Sequence, residues 1–209
     1  AGLNLLALWD LWRRHRPSPA ARLDVLSFEG VPMSADDAAR THALWPELAG
    51  LSRHLLALWP DRARGVQRLG LGDGLTLTLA IDDISRALPQ ARARVDAWFL
   101  DGFAPSKNPE MWSPDIMAHV ARLSAPGVRA ATYTVAGEVR RSLEAAGFTV
   151  EKKPGHGRKK ERLEARLASL PSAQPTPPRH VAIIGAGIAG ACAARSFLDR
   201  ACRVTVFDQ

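Results

Sequence analysis

The chain has 209 residues, of which 46% are apolar and 23% are charged, values that are ordinary for a globular protein of one or two domains. Its formal net charge of +7 permits a polyanionic partner such as nucleic acid, although an arginine-rich composition alone gives the same excess. The longest uncharged run, 181–194, is too short to span a bilayer and is internal, so we expect neither a membrane protein nor a signal peptide.

Apolar periodicity, cap residues and turn residues divide the chain into alternating helices and strands. Ser34 has N-cap character, and Asp73-Gly74 between two apolar runs indicates a hairpin. The alternation predicts an α/β fold. The predicted elements are helix 3–15, strand 22–28, a helical stretch 34–59 broken near Pro46, hairpin strands 66–71 and 75–81, strand 95–100, helix 110–122, strand 128–135, helix 137–146 and strand 148–152.

A proline-rich segment, 171–179, separates two parts of the chain and predicts a semi-rigid linker. The domains are therefore expected at 1–170 and 180–209. The chain begins without Met and enters a helix directly after Gly2, so we expect it to be truncated at both ends.

The strand at 181–184 runs into a GxGxxG turn formed by Gly185, Gly187 and Gly190. A helix at about 188–200 and a strand at 203–207 ending in Asp208 follow. In a dinucleotide-binding unit these glycines allow a tight turn, close approach to a pyrophosphate and helix–strand packing, and the acid accepts from a ribose hydroxyl. The motif does not separate FAD from NAD, and a glycine turn without a ligand is the alternative.

Cys192 and Cys202 form no CxxC pair, and the six histidines show no HxH or HExxH spacing. We therefore expect no metal site, and reduced thiols in a cytoplasmic protein. The sequence leaves the oligomeric state open.

The loop after strand 95–100 begins with Asp101 and is rich in Pro, Gly and Asn. Ligands in open α/β sheets bind beyond the carboxyl ends of strands. Phe103 and Trp112 offer flat faces to a base, and Lys107 a cation to a phosphate. On spacing alone, an acid ending a strand is as often a turn or a helix cap.

Three acids, Glu29, Asp83 and Asp101, follow predicted strands and are expected to line one edge of one sheet together with Gly2. This arrangement suits an adenosine-containing ligand. Glu29 would then bind ribose hydroxyls, Asp83 would lie near the adenine, and Asp101 would lie at the reacting end.

The chain resembles the MnmC family of bifunctional tRNA-modifying enzymes, which make 5-methylaminomethyl-2-thiouridine at the wobble uridine. FLDGFAPSKNPEMW at 99–112 carries most of the resemblance and is more specific than the glycine motif. The other matching segments are GLNLLALW at 2–9, SFE at 27–29, ATYTVAGEVRRSLEAAG at 131–147, GRKKE at 157–161 and the glycine fingerprint at 181–208.

The resemblance implies a class I Rossmann-like methyltransferase that uses S-adenosylmethionine (SAM) and lacks its first strand, followed by the first βαβ unit of an FAD-binding Rossmann domain. The FAD part would remove a carboxymethyl group, and the methyltransferase would then methylate the amine. Val128, His156 and Ala201 depart from the family pattern, but none is a predicted ligand contact. The implied SAM contacts are Gly2, Leu3, Asn4, Glu29 and Asp83, and the implied FAD contacts are Gly185, Ala186, Gly187, Ile188, Ala189, Gly190 and Asp208.

Asp101 is then the catalytic candidate, since a carboxylate orients an amine and takes its proton. Tyr133 is a candidate second wall, or alternatively an ordinary strand aromatic. The basic run 152–166, including Lys159 and Lys160, is expected to follow tRNA phosphates around the anticodon loop, or alternatively to be a solvated strand face. The candidate substrate contacts are Phe103, Lys107, Trp112, Tyr133, Lys159 and Lys160.

Three rival hypotheses stay open. The first is an oxidoreductase that uses NAD(P) or FAD and has an unrelated N-terminal domain. The second is a non-catalytic RNA-binding module on an α/β scaffold. The third is a fragment that is inactive because both cofactor sites are incomplete.

Overall fold

The structure is a computed structural model that describes residues 2–59, 64–157, 159–168, 180–184, 186–198 and 202–207. The chain forms two compact units, Ala1–Pro171 and Ser172–Gln209. The predicted linker 171–179, together with Gly185, Ala201 and Asp208, lies outside the described residues.

The secondary structure follows the predicted alternation of helices and strands, with two additions. The helices are α1 Leu3–His15, α2 Ala35–His42, α3 Ala49–Ala57, α4 Ile84–Gln90, α5 Pro114–Leu123, α6 Gly137–Ala145 and α7 Ile188–Leu198. The strands are β1 Leu23–Glu29, β2 Gly65–Gly72, β3 Leu75–Ile81, β4 Val95–Phe99, β5 Ser124–Thr132, β6 Thr149–Pro154, β7 Glu161–Arg166, β8 His180–Ile184 and β9 Arg203–Phe207. Helix α4 and strand β7 are the additions.

Local sequence signals account for most element boundaries. The Ser34 side chain accepts from the Asp37 N–H and begins α2. Asp73 (φ 53°) and Gly74 (φ 71°) turn the β2–β3 hairpin. The predicted helix 110–122 is instead a 3-10 turn followed by α5, because Ser113 caps a new helix that has Pro114 at its first position.

The first unit holds two sheets. In the three-stranded sheet, β3 pairs parallel with β1 and antiparallel with β2. In the four-stranded sheet, of order β4-β5-β7-β6, β4 and β5 are parallel and β7 is antiparallel to both of its neighbours. Contrary to the prediction, Glu29, Asp83 and Asp101 therefore do not follow strands of a single hydrogen-bonded sheet among the described residues. In the described part of the chain no strand bridges β1 and β4, so Asp101 belongs to a different sheet from the other two acids.

Each sheet of the first unit has its own hydrophobic cluster. The cluster on the four-stranded sheet includes Trp112, Met117, Leu123, Leu143, Phe148 and Leu163. The cluster on the three-stranded sheet includes Leu6, Trp9, Leu51, Leu55, Leu71 and Ile81. The two clusters fix the positions of the strand ends that carry the candidate site.

In the second unit, β8 and β9 pair in parallel and α7 connects them, as the sequence predicts. None of the described residues of α7 is buried. No helix in the described parts of either unit is long and apolar enough to cross a membrane. The same residues contain no cluster of three or more His, Cys, Asp or Glu that could hold a metal ion.

Candidate functional site

The loop that follows β4 is held at two consecutive carbonyl groups. The phenol of Tyr133, one residue beyond β5, donates to the Gly102 carbonyl oxygen at 2.7 Å. The indole N–H of Trp112 donates to the Phe103 carbonyl oxygen at 2.9 Å. Because Trp112 is buried in the cluster on the four-stranded sheet and Tyr133 directly follows β5, the loop backbone next to Asp101 has a defined position.

The Asp101 carboxylate is exposed and meets a residue from the start of the chain. The side-chain amide of Asn4, in the first turn of α1, donates to Asp101 Oδ2 at 2.5 Å across 97 residues of sequence. Sequence analysis selected both residues, one as a cofactor contact and the other as the catalytic acid, but did not predict that they touch. The structure brings them together.

The two aromatic residues proposed to stack on a base differ in exposure. Phe103 is 72% exposed and can present a ring face. Trp112 is 3% exposed and packs in the cluster of the four-stranded sheet, so the prediction that it offers a face to a base is wrong. The Trp112 ring packs in the core, and its N–H holds the loop by donating to the Phe103 carbonyl oxygen.

A cavity of about 320 Å³ lies beside this loop, between the end of β5 and the turn joining β6 to β7. Tyr133 is half-buried in its wall, and Lys159 Nζ lies 5.3 Å from the Tyr133 ring centroid. Lys160 also lines the cavity, and Lys107 is exposed on the loop. The wall formed by residues 134–136 was not singled out from the sequence, although the strand-end rule that selects Asp101 applies equally to the end of β5.

A second cavity, of about 420 Å³, lies between α4 and α5. Its lining includes Ser85, Pro89 and His119. None of the sequence-predicted site residues lines it, so we do not assign the candidate site there.

The acids of the three-stranded sheet lie at the ends of its parallel strands. Glu29, which ends β1, is paired with Ile81 of β3, and its Oε1 accepts from the Val31 N–H at 3.1 Å. Asp83 caps α4, accepting from the N–H of Ser85 at 2.8 Å and from its hydroxyl at 2.5 Å. These hydrogen bonds from Ser85 lower the pKa of Asp83 below its ordinary value of 3.8.

The start of α1 is fixed by packing. Gly2 has φ 75°, and a Cβ atom there would lie 3.3 Å from the side chain of Leu55 and 3.6 Å from that of His42. Leu3 packs against the cluster of the three-stranded sheet. Glycine therefore suits this position for steric reasons as well as for any ligand, and Asn4 projects from a well-placed helix end.

The basic run 152–166 folds as the β6–β7 hairpin, and several of its cations are paired with acids. Lys152 bonds Glu161 at 3.2 Å, Lys153 bonds Glu151 at 2.5 Å and Arg162 bonds Glu164 at 2.5 Å. The Glu151 carboxylate raises the pKa of Lys153. These pairs partly neutralise the basic run, and Lys159 and Lys160 at the hairpin turn line the cavity. The expectation that the run follows tRNA phosphates stays a prediction.

In the second unit, Ala186 and Gly187 are exposed between β8 and α7, Ile188 and Ala189 are exposed in the first turn of α7, and Gly190 also lies within that helix. The Ala191 N–H donates to the Gly187 carbonyl oxygen at 2.9 Å. A Cβ atom at Gly187 would meet no atom within 4 Å, so open space surrounds this part of the turn.

An α/β fold with an antiparallel β7 between β5 and β6 and acids beyond its strand ends is the arrangement of a SAM-dependent methyltransferase. Residues 46–168 match the sequence profile of a family described as S-adenosyl-L-methionine-dependent methyltransferase. The chain belongs to that family.

Several curated proteins resemble the whole chain. It is 52% identical over 210 residues to the "tRNA 5-methylaminomethyl-2-thiouridine biosynthesis bifunctional protein MnmC" of Caulobacter vibrioides, a match covering 100% of this chain and 35% of that protein. The protein of the same name from Thiobacillus denitrificans is 46% identical, with 100% and 34% covered. The chain thus spans about a third of the length of these relatives.

A crystal structure of MNMC2 from Aquifex aeolicus matches the fold with a TM-score of 0.59 and 26% sequence identity. The match covers 83% of this chain and 52% of the other. It supports the assignment of the mixed α/β methyltransferase fold.

Proposed function

We propose that this chain is the methyltransferase part of a bifunctional enzyme that methylates the aminomethyl group of 5-aminomethyl-2-thiouridine at the tRNA wobble position. The product is 5-methylaminomethyl-2-thiouridine. The observation that carries the proposal is the Asp101 carboxylate, which Asn4 holds at the start of the loop whose residues Ala104 and Pro105 line the Tyr133 cavity. The names of the similar proteins support the choice of tRNA as substrate and 2-thiouridine as the nucleoside.

Methyl transfer to an amine requires a neutral nitrogen whose lone pair lies on the axis of the breaking bond. SAM, when bound, supplies an electrophilic methyl group on a sulfonium. Asp101 accepts a hydrogen bond from the substrate amine, orients its lone pair and takes the proton that methylation releases. Orientation of this kind contributes up to about 7–11 kcal/mol to the lowering of a barrier.

The residues present fit part of a SAM site. The N-terminal end of α1 presents Gly2, Leu3 and Asn4, with the backbone of Gly2 in a left-handed conformation. Glu29 is exposed at a strand end, where a carboxylate accepts from ribose hydroxyls. Asp83 lies two residues beyond the adjacent strand end and keeps its proposed place near the adenine while capping α4.

Of the proposed tRNA contacts, Phe103 and Lys107 lie on the loop after β4, and Tyr133, Lys159 and Lys160 line the cavity beside that loop. Phe103 stacks on an unpaired base, and Tyr133 forms the wall against the modified uridine. Lys107, Lys159 and Lys160 bind phosphates of the anticodon loop. Trp112 is left out of this set because it is buried.

We also propose the finer architecture that the resemblance implies. Residues 1–170 form the methyltransferase domain, 171–179 a linker and 180–209 the start of an FAD-binding domain in a longer, cytoplasmic protein. The two sheets of the first unit would then be halves of one class I sheet whose first strand fits between β1 and β4. Support comes from the single hydrogen-bonded neighbour that β1 and β4 each have among the described strands.

For the second unit, the strand–turn–helix–strand order and the open space at Gly187 support a cofactor site. The N-terminal end of α7, where Ile188 and Ala189 are exposed, suits a pyrophosphate. Gly185, Ala186, Gly187, Ile188, Ala189, Gly190 and Asp208 are the proposed FAD contacts. Removal of a carboxymethyl group from the uridine side chain is the proposed activity of the completed domain.

The experiment is Asp101→Ala in the intact protein, with nucleoside mass spectrometry of tRNA to follow conversion of the aminomethyl to the methylaminomethyl nucleoside. We expect the rate of transfer to fall by about 10²–10⁴-fold, the range for removal of a general base, while removal of the carboxymethyl group continues. Asp96→Ala, an exposed acid on β4, is the matched control. An unchanged rate for Asp101→Ala would overturn the assignment.

Calorimetry with S-adenosylhomocysteine separates the rivals. Binding by the intact protein supports the methyltransferase, whereas tRNA binding without it favours the RNA-binding module. A yellow purified protein excludes a nicotinamide enzyme, and a thermal-shift scan of the 209-residue chain with SAM and FAD measures how much of each site it retains.

A further inference from the structure

Asn4 has a contact that a cofactor-binding role does not explain. Its side-chain amide donates to Asp101 Oδ2 at 2.5 Å. An ionised carboxylate has only acceptor atoms, so the amide must present its NH₂ group to Asp101, and the orientation of the amide is fixed by the pair itself. Hydrogen bonds to an ionised acceptor are stronger than neutral ones.

The contacts that hold the loop after β4 act on its backbone. Tyr133 binds the Gly102 carbonyl and Trp112 binds the Phe103 carbonyl, so neither restrains the Asp101 side chain directly. The carboxylate is exposed and can rotate about two side-chain bonds. Among the described residues, the Asn4 amide is the donor that selects one orientation.

The donor itself is rigidly placed. Asn4 lies in the first turn of α1, which begins at Gly2 in a left-handed conformation packed against Leu55 and His42. Leu6, in the same turn, is fully buried. The position of Asn4 is therefore set by packing against the cluster of the three-stranded sheet. Its side chain contacts Asp101, which follows a strand of the other sheet.

We propose that Asn4 is a positioning residue for methyl transfer: its amide holds Oδ2 of Asp101, so that Oδ1 faces the substrate amine. The inference rests on the proposed function, because it assigns a partner to the acid of that mechanism. The role would also connect the two substrates. The N-terminal end of α1 is proposed to contact SAM, and Asn4 on that end orients the Asp101 carboxylate that contacts the substrate amine. Misplacement of a reacting group by about 1 Å costs on the order of 100-fold in rate.

The test uses the intact protein and the variants Asn4→Ala, Asn4→Asp and Asn4→Gln, with kcat, the KM for SAM and the KM for tRNA measured separately. We expect kcat to fall about 100-fold for Asn4→Ala and further for Asn4→Asp, which places a second negative charge beside Asp101. Asn4→Gln keeps the donor and should recover part of the rate. Asp10→Ala, which removes a surface ion pair from the same helix, is the control and should leave kcat unchanged.

A double-mutant comparison separates positioning from a structural effect. If Asn4 acts through Asp101, Asn4→Ala should add no loss in an Asp101→Ala background, because residues that act as a unit are not additive. Equal thermal unfolding midpoints for Asn4→Ala and Asp10→Ala exclude misfolding as the cause.

The outcomes distinguish the inference from the function on which it rests. A raised KM for SAM with unchanged kcat, or full additivity with Asp101→Ala, would overturn the positioning role and leave the methyltransferase assignment intact. An Asp101→Ala protein with unchanged transfer would instead overturn the proposed mechanism itself.

Discussion

Both units of the chain carry a strand that runs into a turn and then a helix, and the two turns are built differently. After β4, the turn is held by the Trp112 indole and the Tyr133 phenol, and Trp112 is 3% exposed. After β8, the turn leads into α7, none of whose described residues is buried, and Ile188 is 87% exposed. The first turn is held against a core, whereas the described residues of the second turn, Ala186 and Gly187, are exposed.

This difference explains why the more recognisable motif is the less informative one. Glycines in a phosphate-binding turn are required by backbone geometry, so the sequence displays them openly. The Asp101 turn depends on donors 9 and 31 residues away and on Asn4, 97 residues away. The position of Asp101 and its loop thus depends in part on Tyr133 and Asn4, which lie outside the 99–112 segment.

The largest expected difference between the two turns is at Trp112. Trp112→Ala removes a buried aromatic side chain from the cluster of the four-stranded sheet and should lower the free energy of unfolding by about 3–5 kcal/mol. Ile188→Ala, at the exposed turn, should change it by less than about 0.5 kcal/mol. Urea denaturation of the two variants measures both values. Equal losses would show that the second turn is packed as firmly as the first.

Two glycines, one in the β6–β7 hairpin turn of the first unit and one in the turn after β8, give a second comparison between the units. A Cβ atom at Gly155 would lie within contact distance of the Lys159 carbonyl and 2.9 Å from the Glu161 nitrogen, whereas one at Gly187 would meet nothing within 4 Å. Gly155→Ala should therefore cost about 1–3 kcal/mol by overpacking the hairpin turn, and Gly187→Ala should cost much less. Chemical denaturation compares them. In the intact protein, Gly187→Ala should weaken FAD binding without weakening the fold, and a tolerated Gly155→Ala would contradict the described turn.

The cations of the β6–β7 hairpin turn give a test of tRNA binding by the first unit. Replacing Lys159 and Lys160 by Gln should reduce the salt dependence of tRNA binding, lowering the magnitude of the slope of log K against log salt by about 1.5. The matched control is the Lys152→Gln and Lys153→Gln pair, whose cations already bind Glu161 and Glu151. Filter binding over a salt series measures the slopes. Identical slopes for both pairs would remove the hairpin turn from the tRNA contact.

Much of the first unit could be predicted from its sequence because its boundaries rest on local chemistry. The Ser34 cap, the break at Pro46 and the Asp73-Gly74 hairpin each depend on neighbouring residues, and all three are confirmed. The choice of Asp101 followed from a rule about strand ends and stays a prediction about catalysis. The sequence and the comparisons agree on the methyltransferase family.

The errors have physical causes in competing or distant contacts. Strand β7 escaped notice because its charged residues obscured the alternation that buries Leu163 and Ala165. Trp112 was misassigned because an aromatic residue in a loop carries no local signal of burial. Helix α4 was missed because it is short and contains Pro89, and because Asp83, its cap, had been assigned to a ligand.

The smallest expected effect is at Asp83. A substitution there tests whether an acid at a strand end of the first unit stabilises the fold in addition to its proposed contact with a ligand. No acidic residue stands in the first turn of α7, whereas α4 begins with the Asp83 cap. Asp83→Ala should lower the free energy of unfolding by about 1 kcal/mol through loss of the cap. Asp83→Asn keeps a good capping side chain and should cost less.

The pH dependence completes this test. Hydrogen bonds from Ser85 hold the pKa of Asp83 below 3.8 in the folded state, so the ionised cap stabilises the fold. That contribution is fully present above the unfolded pKa and is lost as the pH falls through the lower folded pKa. Denaturation of the parent chain and of Asp83→Asn at neutral pH and below pH 4 should therefore show the parent losing more stability on acidification. Equal losses of stability in the parent chain and in Asp83→Asn would mean that the carboxylate of Asp83 is solvated rather than bound to Ser85. Asp83 would then be available to a ligand, as the exposed residues at the start of α7 are.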